Sequence, residues 1–245
     1  MNVEQLAGKL VLWIREKTLA AGCKGVVVGM SGGLDSSVVA VLCHRAFPKN
    51  VLGVVMPCYS SPEDEEHALA VASKSSITTR VVVLDPVFDT LLRTLAGDKV
   101  EPGVSRIAEA NLKARLRMLT LYYFANQLKY IVAGAGNRSE LSVGYFTKHG
   151  DGGVDILPLG NLVKSQVREL AGFLAIPQPI IDKPPSAGLW QGQTDEGELG
   201  ISYDELDRYL VTGEASIGLR QKIESMIAAS AHKRLPPPAA SLEEE

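Results

Sequence analysis

The sequence predicts an α/β protein, a parallel β-sheet sandwiched by helices. Short runs rich in valine, leucine and isoleucine recur at residues 26–28, 51–56, 80–84 and 130–134. They are apolar at successive positions, as expected of strands covered on both faces. Stretches with apolar residues at helical spacing lie between them, so strand and helix alternate. The 245 residues, 46% apolar and 22% charged, suit one globular domain over residues 1–240, with 241–245 set aside as a tail.

In chain order, Val3, Leu6, Leu10, Trp13 and Ile14 place a helix over residues 2–20, stopped by Gly22. The first strand follows at Val26 and breaks at Ser31-Gly32-Gly33; a helix resumes near Asp35 with a good capping residue in front of it. Pro48-Lys49-Asn50 turns the chain into the second strand, and Glu63 to Glu66 favour the positive end of a helix running to about residue 76. The third strand, 80–84, is closed by Asp85-Pro86. Helices over 87–96 and 104–128 precede the fourth strand, and residues 155–159 suggest a short fifth one. Helices over 162–174, 203–211 and 217–232 complete the chain, and Pro236-Pro237-Pro238 begins the tail.

The organising stretch is Gly29-Met30-Ser31-Gly32-Gly33-Leu34-Asp35-Ser36. A strand, a glycine turn and a helix N-terminus together present free backbone N–H groups to an anion, and phosphate is the natural one. A plain corner capped by Asp35 or Ser31 is the alternative. No Lys-Ser or Lys-Thr follows the glycines, so this is not the loop of a P-loop NTPase. Asp35 instead sets a carboxylate beside the phosphate, which makes sense with Mg²⁺ between them. A second junction, Gly134-Ala135-Gly136-Asn137-Arg138-Ser139-Glu140, invites a dinucleotide-fold reading, but Ser139 stands where the third glycine belongs. What it supplies is Glu140, either a second Mg²⁺ carboxylate or a residue that favours the helix start.

Net charge is −3, which argues against a nucleic-acid or membrane-surface binder. Cys23, Cys43 and Cys58 lack metal or redox spacing and read as reduced thiols. No signal segment or membrane span is visible, so the expected compartment is the cytoplasm.

Ser31-Gly32-Gly33-x-Asp35-Ser36 resembles the pyrophosphate loop of the ATP pyrophosphatase families, which cleave ATP between its α and β phosphates. Further segments narrow the resemblance: residues 111–118, 136–140, 144–152, 183–190 and 193–200. In this order and spacing they are similar to the ammonia-dependent NAD synthetases, over about residues 6–236. The resemblance implies the adenine-nucleotide alpha-hydrolase-like fold and ATP-dependent amidation of deamido-NAD (nicotinate adenine dinucleotide) by ammonia. The products would be NAD, AMP and pyrophosphate, formed through an adenylated intermediate.

Residue by residue, it implies that Gly29, Met30, Ser31, Gly32, Gly33, Leu34, Asp35 and Ser36 hold ATP phosphates. Ala135, Lys164 and Ser186 lie at further ATP positions, and Asp35 and Glu140 would bind Mg²⁺. Arg115, Lys148, Asp155, His232 and Lys233 match positions that bind deamido-NAD. Ala135 departs from the threonine common there, a lost hydrogen bond worth about 1 kcal/mol. Taken singly, Lys148 and Lys164 would be ordinary surface lysines. The resemblance makes Lys164 the candidate for stabilising charge at the α-phosphate.

The chemistry agrees: a carboxylate is a poor electrophile until transfer to the α-phosphate turns its oxygen into part of a good leaving group. Gly150-Asp151-Gly152-Gly153 suits a mobile loop closing over the substrate. A homodimer is expected because Ile107, Leu112, Leu116, Leu119 and Tyr123 are more apolar residues than one sheet face needs, and because the resemblance implies a shared dinucleotide site. A tRNA-modifying or GMP-forming relative is the same-chemistry alternative, and a non-catalytic nucleotide sensor the other class. No basic face or catalytic cysteine pair supports the first, and retention of Asp35, Glu140 and Lys164 disfavours the second. With no activated thiol nucleophile, the chain is expected to use free ammonia and not glutamine.

Overall fold

The computed structural model describes residues 2–96, 106–190 and 192–240. Helix α1 (Val3–Ala20) leads into β1 (Val26–Gly29), α2 (Leu34–Ala46), β2 (Val51–Val55), α3 (Pro62–Lys74) and β3 (Thr79–Val81). Helices α4 (Asp85–Ala96) and α5 (Arg106–Leu128) precede β4 (Ile131–Ala133). Beyond it come α6 (Arg138–Val143), α7 (Lys164–Phe173), α8 (Gln178–Asp182), α9 (Asp195–Leu199), α10 (Tyr203–Thr212), α11 (Ile217–Ala229) and α12 (Ala231–Arg234).

The strands are parallel in the order β3-β2-β1-β4. The chain leaves β1 to one side and returns beside it on the other as β4. The strand order therefore reverses between β1 and β4, and a crevice opens beyond their C-terminal ends.

Alternation along the strands divides the core. Val26, Val28, Ile131 and Ala133 face one layer with α1, α2 and α7, where Ile14, Val38, Leu42, Val167 and Leu170 are buried. Val27, Leu52, Val54 and Val132 face the other, against Phe88, Leu116, Leu121 and Ala125 of α4 and α5. Each such valine contributes about 1.5–3 kcal/mol through burial. A third cluster, Val143, Leu199, Ile201, Leu206 and Ile223, joins α6, α9, α10 and α11.

Several expectations are corrected. The third strand is only Thr79–Val81, and Asp85 opens α4 instead of closing a strand. This strand is an edge, so Val81 and Val83 are exposed and the doubly covered pattern fails there. The fifth strand shrinks to one parallel bridge between Ala133 and Ile156, because the chain turns directly afterwards, with Gly160 N–H on Leu157 O (3.1 Å). The helix expected over 217–232 breaks at Ser230, which ends α11 and precedes α12. Residues 104 and 105 of the expected long helix, and the tail 241–245, lie outside the described residues. No helix among the described residues is long and apolar enough to cross a membrane.

Candidate active site

The glycine loop closes on itself. Met30 N–H extends the sheet onto Val54 O (2.9 Å), and its buried side chain fills the space left by Gly53, where a Cβ would lie 2.4 Å from the Met30 sulfur. Gly32 has φ +78°, and a Cβ there would lie 2.1 Å from the Asp64 carbonyl oxygen at the start of α3. Only glycine meets both demands. The residue preceding α2 is Gly33, not the side-chain cap expected. Ser31 and Ser36 hydroxyls bond each other (2.9 Å), Gly33 N–H donates to Ser31 Oγ (3.3 Å), and Ser36 and Ser37 donate to Gly33 O. The N–H groups of Leu34, Asp35 and Ser36 have no acceptor among the described residues, so the helix end stays open for an anion.

Across the crevice, α6 follows β4 with a reciprocal cap. Glu140 N–H donates to Asn137 Oδ1 (3.0 Å), and Asn137 N–H to Glu140 Oε2 (3.3 Å). Asn137 Nδ2 also donates to Asp35 Oδ1 (3.0 Å), joining the loops that leave β1 and β4. Lys164, the first residue of α7, places its ammonium on the Asp35 carboxylate and 3.4 Å from Glu140 Oε1. The Lys164 side chain is 4% exposed, so the three residues meet in a nearly dry site.

The electrostatics follow. Burial opposes the charge of Lys164, but Asp35 and Glu140 outweigh it and raise its pKa. Burial pushes the Glu140 carboxyl up to about 7; Lys164 opposes that rise and Asp35 adds to it. Asp35 has first claim on the ammonium, which leaves Glu140 the poorly compensated member. Two carboxylates converging on one buried positive charge suit a divalent cation that takes its remaining oxygens from phosphate and water. Among the described residues no group of three or more His, Cys, Asp or Glu could hold a metal alone.

Tyr203 backs this site. Its hydroxyl donates to Asp195 Oδ2 (2.9 Å), lies 3.4 Å from Glu140 Oε1, and its ring centre is 5.1 Å from the Lys164 ammonium. Burial raises the pKa of Asp195 and of Tyr203. Asn137, Asp195 and Tyr203 were not among the expected site residues. The Asn-x-x-Glu spacing at 137–140 was a readable capping signal; the other two reach the site only through tertiary contact.

The remaining candidates fall into three places. Ala135 is half-buried against the core and has no polar group to offer. Ser186 is exposed and accepts from Gly188 N–H (3.1 Å). Its loop is tied to α3 by Lys183, which donates to Asp64 Oδ1 (2.7 Å), beside Gly32. Four of the five expected dinucleotide contacts cluster: Arg115 donates to Lys148 O (3.3 Å), Lys148 Nζ to His232 O (2.7 Å), and Lys233 Nζ to Gly144 O (2.8 Å) and Phe146 O (2.9 Å). All three cations donate to neutral carbonyls and none forms an ion pair among the described residues, although the Asp151 carboxylate acts on Lys233 from a longer distance. Asp155 is engaged elsewhere: it accepts from Tyr122 OH (2.9 Å) and Val132 N–H (2.8 Å) and borders a cleft of about 420 Å³ lined also by Trp13 and Lys17.

The glycines at 150–153 form a hydrogen-bonded turn against α5, with Thr147 Oγ1 donating to Asn111 Oδ1 (2.7 Å) and Thr147 N–H to Asp151 (2.9 Å). A Cβ on Gly152 would lie 2.5 Å from the Phe146 ring. Close packing thus accounts for the glycines at 150 and 152.

Known proteins share the sequence and the fold. The sequence profile described as NAD synthase matches residues 6–237. The NH3-dependent NAD+ synthetase of Carboxydothermus hydrogenoformans is 52% identical over 235 residues, 96% of each chain. Among solved structures, the NMN synthetase of Francisella tularensis superposes with a TM-score of 0.93 at 36% identity, covering 99% of this chain and 100% of that one. The NH3-dependent NAD synthetase of Campylobacter jejuni does so with a TM-score of 0.80 at 27% identity, covering 98% and 100%. The chain belongs to the NAD synthase family.

Proposed function

We propose that this chain amidates deamido-NAD with ammonia at the expense of ATP, releasing NAD, AMP and pyrophosphate. The observation that carries the reading is the meeting of Asp35, Glu140 and Lys164 beyond β1 and β4, beside an open helix N-terminus. The residues from Gly29 to Ser36 are assigned to the ATP phosphates, with Ser186 and the Ala135 segment as flanking contacts. Asp35 and Glu140 would hold Mg²⁺, which neutralises phosphate charge when bound.

The nicotinate carboxylate attacks the α-phosphate; a P–O bond forms to it as the bond to the pyrophosphate breaks, giving an acyl-adenylate. The N–H groups at the start of α2 receive the departing pyrophosphate, and Lys164 stabilises charge on the α-phosphate. Ammonia then attacks the activated carbonyl, loses a proton, and AMP leaves. The chain's main work is to place two large anions and keep water from the adenylate. Arg115, Lys148 and Lys233 supply positive charge for the dinucleotide and His232 a polar contact beside them, with Asp155 a polar contact apart from that cluster.

The NMN synthetase likeness favours a second substrate reading, nicotinate mononucleotide, with identical chemistry at the carboxylate. Purified chain supplied with ATP, Mg²⁺ and ammonium, and with either acid in turn, separates the two. Faster amide formation from the dinucleotide supports the first reading; turnover of the mononucleotide alone overturns it.

We also assign the chain a homodimeric state and a cytoplasmic location. Leu119 and Tyr123 on α5 are each 59% exposed, Val81 and Val83 are exposed at the sheet edge and Val87 at the start of α4, an apolar load that association would cover. Sedimentation of a fully active monomer at micromolar concentration contradicts the dimer.

A further inference from the structure

Asp207 on α10 is a buried carboxylate, 5% exposed, with no lysine or arginine ion pair among the described residues. A buried charge without a cation is costly unless hydrogen bonds and dipoles replace the water it lost. Here they do. The Ser139 hydroxyl donates to Asp207 Oδ1 (2.5 Å) and Ser165 N–H to Oδ2 (2.7 Å). Ser139 Oγ in turn accepts from Lys164 N–H (3.1 Å). The first two N–H groups of α7 are thereby satisfied, and a negative charge sits at the positive end of that helix.

The position of this carboxylate is what matters. Ser139 directly precedes Glu140, and Ser165 directly follows Lys164. One carboxylate thus joins the two segments whose side chains meet in the candidate active site. A backbone bond from Arg138 N–H to Leu162 O (2.8 Å) already sets those segments side by side, and Arg138 is tied to α10 through Leu210 O (2.7 Å). Asp207 adds the contact that fixes how the start of α7 is rotated against α6, and so where Lys164 points.

We propose that Asp207 is a positioning residue, a clamp that aligns Glu140 and Lys164 with Asp35 for ATP binding and activation. The proposal rests on the amidation reading, and the experiment separates the two. Wild type, Asp207→Ala, Asp207→Asn, Ser139→Ala and Leu206→Ala are compared for melting temperature, Mg-ATP affinity by calorimetry, and kcat/KM for ATP. Leu206 neighbours Asp207 in sequence but faces the α10–α11 core, so its truncation reports lost packing alone.

Asp207→Ala is expected to lose about 10–100-fold in kcat/KM and in Mg-ATP affinity, the range typical of residues that orient a site from behind. Asp207→Asn keeps one acceptor and loses less. Combining Asp207→Ala with Ser139→Ala costs no more than Asp207→Ala alone, because both remove one device. Leu206→Ala melts lower yet keeps Mg-ATP affinity and kcat/KM. The proposal is overturned if Asp207→Ala loses no more ATP affinity than Leu206→Ala. If Asp207→Ala does not fold, Asp207→Asn and Ser139→Ala decide: unchanged ATP affinity and kcat/KM in both overturns it. If wild type forms no amide, the amidation reading fails, while the calorimetric comparison still tests the clamp.

Discussion

Lys164 is the residue on which the site turns. Its buried ammonium is what lets Asp35 and Glu140 approach each other without ligand, since two nearby carboxylates cannot both ionise cheaply in a dry site. Lys164→Met keeps the length and removes the charge. The expected result is a loss of at least about 10²-fold in kcat and of roughly 3–5 kcal/mol in stability, the cost of breaking a buried pair from one side. Mg²⁺ should raise the melting temperature of the variant more than that of wild type, because the carboxylates then lack their internal cation. Unchanged turnover, or equal Mg²⁺ shifts, would contradict the assignment. Of the three residues that meet here, the sequence marked Asp35 through the glycine loop, Glu140 through the second glycine junction and Lys164 through the family resemblance. The roles of Tyr203 and Asp195 were not legible, because nothing in a helix sequence announces that its first residue will stand beside a lysine from a distant part of the chain.

Elements show why the site sits where it does. The turn from β1 to α2 works only because Gly32 takes a left-handed backbone and lets α3 approach. Gly32→Ala meets the Asp64 carbonyl and strains φ at once. It should destabilise the fold on the order of 1–3 kcal/mol and weaken ATP binding together with it, readable by denaturant titration and calorimetry; a variant that binds ATP normally would show that the loop does not cradle phosphate. The strand–helix alternation was readable from apolar runs. What patterning could not decide was how each run ends. Residues 80–84 and 155–159 have strand composition, but the first lies at the sheet edge and the second turns after a single bridge, so pairing partners, not residue type, limited them. The capping serine or aspartate expected before α2 was missed for a related reason. The N–H groups of Leu34, Asp35 and Ser36 have no acceptor among the described residues, and a helix end that is to receive an anion would lose them to an internal cap.

For the molecule as a whole, the strand order explains the site: β1 and β4 are neighbours although about a hundred residues separate them, and their following loops carry Asp35 and Glu140 to one crevice. The cysteines lie away from such chemistry. Cys43 is buried and burial pushes its thiol up, burial raises Cys58 as well, and all three are free. The purified 245-residue chain should therefore draw its nitrogen from ammonia and form no NAD from glutamine once ammonia is removed; Cys58→Ala should leave ammonia-dependent synthesis intact. Efficient glutamine use would contradict this. If the Asp35–Glu140–Lys164 crevice couples ATP cleavage to amide formation, the coupling is read by measuring NAD, AMP and pyrophosphate together from ATP, Mg²⁺, deamido-NAD and ammonium, with wild type and Asp35→Asn in parallel. Wild type should form the three products in equal amounts and a folded Asp35→Asn almost none; ADP and phosphate as products, or undiminished synthesis by Asp35→Asn, would show that the crevice does not carry this reaction.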